Sequence, residues 1–287
     1  MNKIFIQSRG GIGNQLFQFS LAFALAQKFP NSKIYIDKTK YFFKKMHEGY
    51  LLDNLINIAN KSNFEIESIN LFSLIKQISS IYLKFKVLKP IHTIIEEEPY
   101  IYQNLIFNRP VIYLNGYWQS YKYFINQNLM KKIVTDYLNL SLDKNIYIPI
   151  KTEENNIAIH VRKGDYIGHP DYVQLTQNYY LNAIDFIKAK CTNPKFYVFT
   201  DSINGLPKNF FFNNDFKVIK KNYTSVQSLA LMSKCDHFIT ANSSFSWWGA
   251  FLGANKKKII LTPSDWFTFQ KNLNDFIPAT WIKINNY

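Results

Sequence analysis

The chain of 287 residues is 47% hydrophobic and 17% aromatic, which is enough apolar material for one large domain or two modest ones. Its 34 lysines and arginines outnumber its 20 aspartates and glutamates and give a formal net charge of +14, but no motif typical of nucleic-acid binding accompanies them. The two cysteines, Cys191 and Cys235, form neither a disulfide framework nor a metal-binding spacing, so we expect a protein of the reducing cytoplasm.

A strand is predicted over residues 3–7, followed by the glycine-rich loop 8–15 and then by a largely apolar helix. This order brings backbone N–H groups and a helix N-terminus close to an anion. The loop lacks the Gly-Lys-Ser/Thr sequence of a P-loop, and a tight turn from strand to helix needs glycine in any case. By itself, the loop indicates either an anion site or only a turn.

Residues 71–88 carry apolar side chains at helical spacing, with Lys76, Lys84 and Lys86 mostly outside the apolar stripe. Such a helix lies either in the core, which is the commoner case, or on a membrane surface. No run of about 18 apolar residues is present, so we expect no transmembrane helix. Because the N-terminus leads directly into a strand, we also expect no signal peptide.

The polar stretch 141–155 is typical of a linker and divides the chain into an N-terminal domain, residues 1–150, and a C-terminal domain, residues 151–287. The N-terminal part includes an acidic patch at residues 96–98. In the C-terminal part, the predicted strands and helices alternate, which is typical of an α/β fold with a mostly parallel sheet. The strands cover residues 156–161, 195–200, 216–220, 237–241 and 258–262, and the helices cover residues 177–190, 224–234 and 244–253.

The strand 156–161 ends in the sequence HVRKGDY, residues 160–166. In an open α/β sheet, the carboxyl ends of the strands face the ligand crevice. The planar guanidinium of Arg162 suits phosphate oxygens, and His160 points to the same side of the strand. The alternative interpretation is an arginine–aspartate pair that only braces the end of a loop.

A third motif follows the strand 237–241, where Asn242, Ser243 and Ser244 form a cluster suited to cap the next helix. Hydroxyls and backbone N–H groups again lie at the carboxyl end of a strand. Capping and phosphate binding are therefore compatible roles for the serines. For Trp247 and Trp248 we expect packing in the core.

The segments GGIGNQLFQFSLAFALA, GYWQSYKYF, HVRKGDY, YVFTDS and HFITANSSFSWWGAFL together resemble the motif set of the family 11 glycosyltransferases, the α-1,2-fucosyltransferases, and in particular its bacterial members. The resemblance extends from about residue 3 to residue 265. It implies a GT-B-like α/β fold with two Rossmann-like halves, in which the C-terminal half binds most of the donor nucleotide. It also implies inverting transfer of L-fucose from GDP-β-L-fucose to O2 of a terminal β-galactoside in an O-antigen, capsule or lipo-oligosaccharide, without a metal or other cofactor.

In such a transfer, negative charge develops on the departing diphosphate, and the chain has no Asp-x-Asp sequence to hold a divalent ion there. Preorganised donors can each contribute about 3–4 kcal/mol at such a position. Arg162 is the first candidate, the serine cluster is the second, and the loop with Asn14 is the third. The resemblance places donor contacts at the following positions: His160, Arg162, Gly11, Gly13, Asn14, Asp201, Ser243, Ser244 and Phe245. For Asp201, helix capping is the alternative role.

Deprotonation of the acceptor hydroxyl calls for a base. Asp165 is the candidate inside the HVRKGDY motif, with a salt bridge to Arg162 as its alternative role. His169 and Asp171 are the other candidates. A loose transition state requires little proton abstraction by a base, so the positioning of the acceptor hydroxyl contributes more to the rate than its deprotonation.

Acceptor contacts are expected from Tyr117, Trp118 and Gln119 in the first half, because aromatic faces pack against sugar rings. The alternative is that these side chains belong to the core. The expected acceptor is an oligosaccharide with a terminal galactose.

Two positions depart from the family pattern. Ser228 stands where related sequences often carry an acidic residue that would read guanine N–H groups, and Lys163 stands where arginine is common. Two alternative functions therefore stay open. The chain is a glycosyltransferase that uses a different nucleotide sugar or forms a different linkage, or it is a non-catalytic glycan-binding module. We expect no nucleic-acid partner, and a cytoplasmic location with peripheral contact to the anionic inner membrane as an option.

Overall fold

A computed structural model describes residues 2–43, 47–62, 64–70, 72–73, 75, 91–142, 150, 155–203, 215–219 and 222–286. The chain forms two compact units, each built around one parallel β-sheet. Unit 1 comprises Met1–Tyr137 and Asn272–Phe276, and unit 2 comprises Leu138–Lys271 and Ile277–Tyr287.

This division differs from the expected one, in which the chain changes domain once, at residue 150. The short segment Asn272–Phe276 returns to unit 1, where the Tyr121 N–H donates to the Asp275 carbonyl at 2.9 Å. Lys122 forms an ion pair with Asp275 at 2.6 Å, and the ring of Phe276 packs on Phe17. These contacts lie far apart in sequence, so composition along the chain does not reveal them.

The sheet of unit 1 has the strand order β3-β2-β1-β5-β4, with all neighbours parallel. Its strands are β1 (Lys3–Gln7), β2 (Lys33–Asp37), β3 (Ile66–Ile69), β4 (Ile91–Ile95) and β5 (Val111–Asn115). Its helices are α1 (Ile12–Lys28), α2 (Thr39–Phe43), α3 (Asp53–Asn60) and α4 (Gln127–Leu140), whose last residues lie in unit 2. The predicted first strand and the helix after the glycine loop are confirmed.

The sheet of unit 2 has the strand order β11-β10-β9-β6-β7-β8 and is also parallel throughout. Its strands are β6 (Asn155–Val161), β7 (Pro194–Thr200), β8 (Phe216–Val218), β9 (His237–Ile239), β10 (Ile260–Pro263) and β11 (Ile282–Ile284). Its helices are α5 (Gln177–Lys188), α6 (Ser225–Met232) and α7 (Ser244–Leu252). The predicted parallel α/β alternation is confirmed, although β11 was not predicted.

Local capping explains where two of these helices begin. Thr224 caps α6 through a capping box with Gln227, so the helix starts at Ser225 instead of residue 224. Ser243 caps α7, as the sequence predicts, by accepting a hydrogen bond from the Phe245 N–H at 3.3 Å.

Two buried glutamines hold the glycine-rich loop between β1 and α1. The Gln18 amide accepts from the Ser8 hydroxyl and the Arg9 N–H, both at 3.1 Å, and donates to the Arg9 carbonyl at 3.2 Å. The Gln15 amide donates to the Gly10 carbonyl at 3.1 Å. Both side chains are wholly buried, so the polar loop is fixed by the apolar helix that follows it.

The predicted amphipathic helix at residues 71–88 lies mostly outside the described residues. Among the helices in the described ranges, none combines the length and the apolar character that crossing a bilayer requires.

Candidate functional site

The end of β6 carries an ion pair at the carboxyl edge of the unit 2 sheet. Arg162 Nη1 lies 2.8 Å from Asp201 Oδ2, and the two side chains are only 19% and 23% exposed. Val161 of β6 is paired with Thr200 of β7, so the next residue of each strand reaches the same edge of the sheet. The guanidinium also lies over the Tyr166 ring, 5.3 Å from its centroid. The positive charge therefore has a fixed position and orientation.

Asp201 is a carboxylate partner of Arg162 in the described part of the structure. Its second oxygen accepts a hydrogen bond from the Lys163 N–H at 3.0 Å, which ties the loop after β6 to the end of β7. Gly164 permits this approach, since a Cβ there would collide with the Asp201 carboxylate. Asp165 lies in the short 3-10 turn Gly164–Tyr166, but its side chain is outside the described part of the structure, so its role as a base stays a prediction.

His160, on β6 two residues before Arg162, has 4% of its surface exposed, and its ring centroid is 5.2 Å from that of Phe245. Burial, followed by the nearby charge of Arg162, lowers the pKa of His160 to about 3, against the opposite effect of Asp201. The imidazole is therefore neutral at pH 7. Its Nδ1 is buried and makes no hydrogen bond to any described residue. A neutral imidazole of this kind can offer a ligand either a donor or an acceptor.

The serine cluster begins α7 at the same edge of the sheet. Asn242 fixes it by donating to the carbonyls of Val173 at 3.0 Å and Trp266 at 2.9 Å. Ser243 is buried in its capping role, whereas Ser244 is half-buried at the first position of the helix. Capping is thus confirmed for Ser243, and phosphate binding by either serine stays a prediction.

Trp247 and Trp248 both have 0% exposure and pack edge to face at 5.4 Å. Their predicted place in the core is confirmed.

The other base candidates lie further along the loop after β6. His169 and Asp171 are both exposed, and the His169 Nδ1 accepts a hydrogen bond from the Asp171 N–H at 3.2 Å. The Lys163 ammonium donates a hydrogen bond to the Leu175 carbonyl at 3.2 Å. The Lys163 side chain is therefore held against the segment that follows β6.

A second group of polar residues lies at the carboxyl edge of the unit 1 sheet. Asn14 stands in the first turn of α1, and its Oδ1 accepts a hydrogen bond from the Gln119 Nε2 at 2.8 Å. The Arg9 guanidinium lies over the Tyr117 ring, 4.2 Å from its centroid. Gly10 has a φ of +80°, and a Cβ there would strike the Asn14 side chain. The hydrogen bond from Gln119 and the close approach of Gly10 together restrain the Asn14 side chain.

Trp118 is wholly buried, with 0% exposure, so its ring offers no accessible face to a sugar. This burial matches the alternative interpretation, in which Trp118 belongs to the core, and favours a different acceptor contact. Tyr117 is half-buried and Gln119 is 5% exposed, so Tyr117 is the most exposed of the three residues.

Trp118 also has a φ of +56°, which is strained for a bulky side chain and costs about 1–3 kcal/mol. The Glu96 carboxylate compensates by accepting hydrogen bonds from the Tyr117 N–H at 2.7 Å and the Trp118 N–H at 2.8 Å. Hydrogen bonds to a charged group contribute about 1.5–3 kcal/mol each. Burial raises the pKa of Glu96, and these two donors oppose that rise. The acidic patch seen in the sequence thus contains one carboxylate with a specific structural role.

Among the described residues, no group of three or more histidine, cysteine, aspartate or glutamate side chains is arranged to hold a metal ion.

Comparison with known proteins gives matches over almost the whole chain. A family model described as Glycosyl transferase family 11 matches residues 3–285. The chain is 29% identical over 296 residues to an alpha-1,2-colitosyltransferase of Escherichia coli, with 99% of each chain covered. It is 27% identical over 310 residues to the O-antigen biosynthesis glycosyltransferase WbnK of Escherichia coli, covering 96% of this chain and 98% of the relative.

A more distant relative is a galactoside 2-alpha-L-fucosyltransferase of Caenorhabditis elegans, 25% identical over 183 residues, covering 58% of this chain and 51% of the relative. Among solved structures, NodZ alpha-1,6-fucosyltransferase soaked with GDP-fucose is similar with a TM-score of 0.50 and 13% identity, covering 95% of this chain and 100% of that one. At this identity the likeness concerns the fold, and it confirms the predicted GT-B-like class with two parallel sheets.

The buried imidazole of His160 makes stability depend on pH. Its pKa is about 3 when folded and about 6.5 when unfolded, so its contribution is present above about pH 6.5 and is lost as the pH falls toward 3. Between pH 7 and pH 5, we expect this residue to lower the free energy of unfolding by about 2 kcal/mol. Urea unfolding at both pH values measures the change.

His160→Phe should remove that part of the pH dependence even if it alters stability at pH 7. His169→Phe, at the exposed surface, is the matched control and should keep the wild-type difference between pH 7 and pH 5. An unchanged pH dependence in His160→Phe would show that the imidazole is not held neutral by the fold.

Proposed function

Because the chain belongs to glycosyl transferase family 11, we propose that it transfers L-fucose from GDP-β-L-fucose to O2 of a terminal β-galactoside, with inversion at the anomeric carbon. The chain is a glycosyltransferase by family, as the motif resemblance predicts. The observation that carries the choice of donor class is the fixed cation Arg162 at the carboxyl end of β6, a position suited to a diphosphate. The named activities of the C. elegans and E. coli relatives support transfer to O2.

In the proposed reaction, the bond between fucose and the β-phosphate breaks while the acceptor oxygen attacks the opposite face of the sugar. Negative charge then grows on the departing GDP. Arg162 stabilises that charge, and its orientation is set beforehand by Asp201 and Tyr166, which is the condition under which a donor contributes most. His160 stays neutral beside it and offers a hydrogen bond. Ser243 and Ser244 add donors from the start of α7.

On the acceptor side, we assign Asn14 to the reacting groups, because the Gln119 amide and the glycine loop fix its side chain. Tyr117 takes the sugar-stacking role for which Trp118 is too deeply buried. Asp165 is retained as the proposed base, with His169 and Asp171 as alternatives. Transfer takes place without a metal, because the fixed Arg162 charge takes the role that a divalent ion has elsewhere. The named function of WbnK supports an O-antigen acceptor.

Colitose is the second candidate for the transferred sugar, because one relative aligned over 99% of both chains is named as a colitosyltransferase. Colitose lacks the C3 hydroxyl of fucose. A site built to hydrogen-bond that hydroxyl rejects the deoxy sugar by about 10⁴-fold or more, whereas an apolar site accepts both.

A ligand panel tests the donor. We expect GDP, and neither UDP nor CMP, to raise the unfolding temperature, by the equivalent of about 2.7 kcal/mol at 100 times its Kd, with or without magnesium. GDP-L-fucose should then be turned over in preference to GDP-L-colitose, and EDTA should leave the rate unchanged. Preferred turnover of GDP-L-colitose would move the assignment to the second candidate. A shift with UDP alone would contradict a GDP-sugar donor, and strong inhibition by EDTA would contradict a metal-free transfer.

Replacement of Arg162 tests the leaving-group role. Arg162→Ala should lower kcat by at least about 10²-fold, because one preorganised cationic donor is removed from the transition state. The chain has three arginines, Arg9, Arg109 and Arg162, and exposed Arg109 provides the matched control. Arg109→Ala should retain wild-type turnover. Normal turnover in a folded Arg162→Ala protein would contradict the assignment.

Peripheral contact with an anionic membrane is a separate part of the proposal. Phe42 and Phe43 on α2 are 78% and 69% exposed, and they belong to a stretch with lysines at positions 38, 40, 44 and 45. Exposed aromatic side chains beside lysines suit an anionic lipid surface.

Sedimentation with phosphatidylglycerol vesicles tests this contact. Phe42→Ser combined with Phe43→Ser should lower the partition coefficient at least about 10-fold, because each phenylalanine loses its apolar transfer energy. Phe269→Ser, at a phenylalanine that is 50% exposed in unit 2, is the control. Equal binding by wild type and the double variant would contradict the contact.

A further inference from the structure

Glu96 is the one residue of the acidic patch 96–98 that is partly buried. Glu97 and Glu98 are exposed, whereas Glu96 is half-buried directly after β4, at the carboxyl edge of the unit 1 sheet. Its two oxygens accept from two consecutive backbone N–H groups, those of Tyr117 and Trp118, at 2.7 and 2.8 Å. The carboxylate therefore binds a backbone turn, which we call the 116–119 turn.

The 116–119 turn does not have a conformation that its own residues favour. Trp118 adopts a left-handed φ of +56° although its side chain is large and wholly buried. Gly116 has no room for a Cβ, which would lie 2.5 Å from the Glu96 Cβ and 2.8 Å from the Trp118 ring. A strained backbone persists only where its surroundings over-determine it, and the Glu96 carboxylate supplies two of the hydrogen bonds that constrain this turn.

The side chains on either side of Trp118 make the contacts that matter for the proposed reaction. Tyr117 lies beneath the Arg9 guanidinium, and Gln119 donates to the Asn14 side chain. Both contacts depend on the backbone conformation of the turn, because it sets the directions of the Tyr117 and Gln119 side chains. The path from Glu96 to Asn14 thus consists of two backbone hydrogen bonds, one strained residue and one side-chain hydrogen bond.

We propose that Glu96 is a positioning residue for the acceptor side of the reaction: it holds the 116–119 turn so that Tyr117 and Gln119 keep Asn14 and the acceptor surface in place. This inference rests on the proposed function for its kinetic consequences. Both Glu96 oxygens are engaged with the backbone, so its role is to orient other groups and not to take the acceptor proton.

Glu96→Gln is the primary variant, because it keeps the shape of the side chain but turns an amide NH₂ toward one of the two N–H donors. Loss of one charge-assisted hydrogen bond corresponds to roughly 10-fold to 100-fold in an equilibrium. We expect kcat/KM for the acceptor to fall by at least about 10-fold, with the Kd for GDP changed less than about 2-fold. Glu97→Gln removes the same charge from an exposed neighbour and should leave both quantities unchanged.

Gln119→Leu interrupts the same path at its last step without touching Glu96, and it remains informative if Glu96→Gln folds poorly. It should reproduce the loss in acceptor kcat/KM. If Glu96 acts through the 116–119 turn, the double variant should lose little more than the larger single loss, because residues on one path are not additive. Fully additive losses, an unchanged acceptor kcat/KM, or an equal weakening of GDP binding would each overturn the proposal.

Hydrogen exchange gives a readout that does not require turnover. The amides of Tyr117 and Trp118 should exchange at least about 10-fold faster in Glu96→Gln than in wild type, with no such change in Glu97→Gln. Unchanged exchange would show that Glu96 does not hold the 116–119 turn. If exchange is faster in Glu96→Gln but the wild-type chain neither binds GDP nor transfers sugar, the proposed function is overturned, while the role of Glu96 in holding the 116–119 turn is supported.

Discussion

The ion pair between Arg162 and Asp201 depends on the register of two parallel strands. Because β6 and β7 are paired through Val161 and Thr200, the next residue of each strand arrives at the same edge of the sheet, and the two charges lie 2.8 Å apart. Their limited exposure reduces the screening that makes most surface pairs weak. The orientation of the guanidinium is therefore a property of the folded sheet, and a ligand does not have to impose it.

Burial, together with the same Arg162 charge, accounts for the neutral state of His160. Burial already disfavours a proton on His160, and the neighbouring guanidinium disfavours it further. The edge of the unit 2 sheet thus combines one permanent cation with one neutral imidazole, and the pair Gly164 and Asp201 determines how closely the loop after β6 approaches. Such a combination favours an anionic ligand without placing two positive charges side by side.

Unit 1 uses a different chemistry at the equivalent edge of its sheet. Its polar groups are fixed mainly by side-chain amides, with Gln15 and Gln18 holding the glycine loop and Gln119 holding Asn14. One carboxylate, Glu96, binds backbone N–H groups and stabilises a strained turn. Buried amides satisfy donors and acceptors together and add no charge of their own.

The sequence by itself determined the elements and the chemical character of the strand ends. Apolar β-branched runs, glycine loops and serine caps are local signals, and they correctly located β1, α1, β6 and the start of α7, together with the family motifs. Only the tertiary structure decided which distant groups meet. It paired Arg162 with Asp201, buried Trp118, bound Glu96 to the 116–119 turn, and returned residues 272–276 to unit 1. The physical reason is that these contacts depend on which strands lie side by side and in what register, and no local pattern of residues encodes that choice.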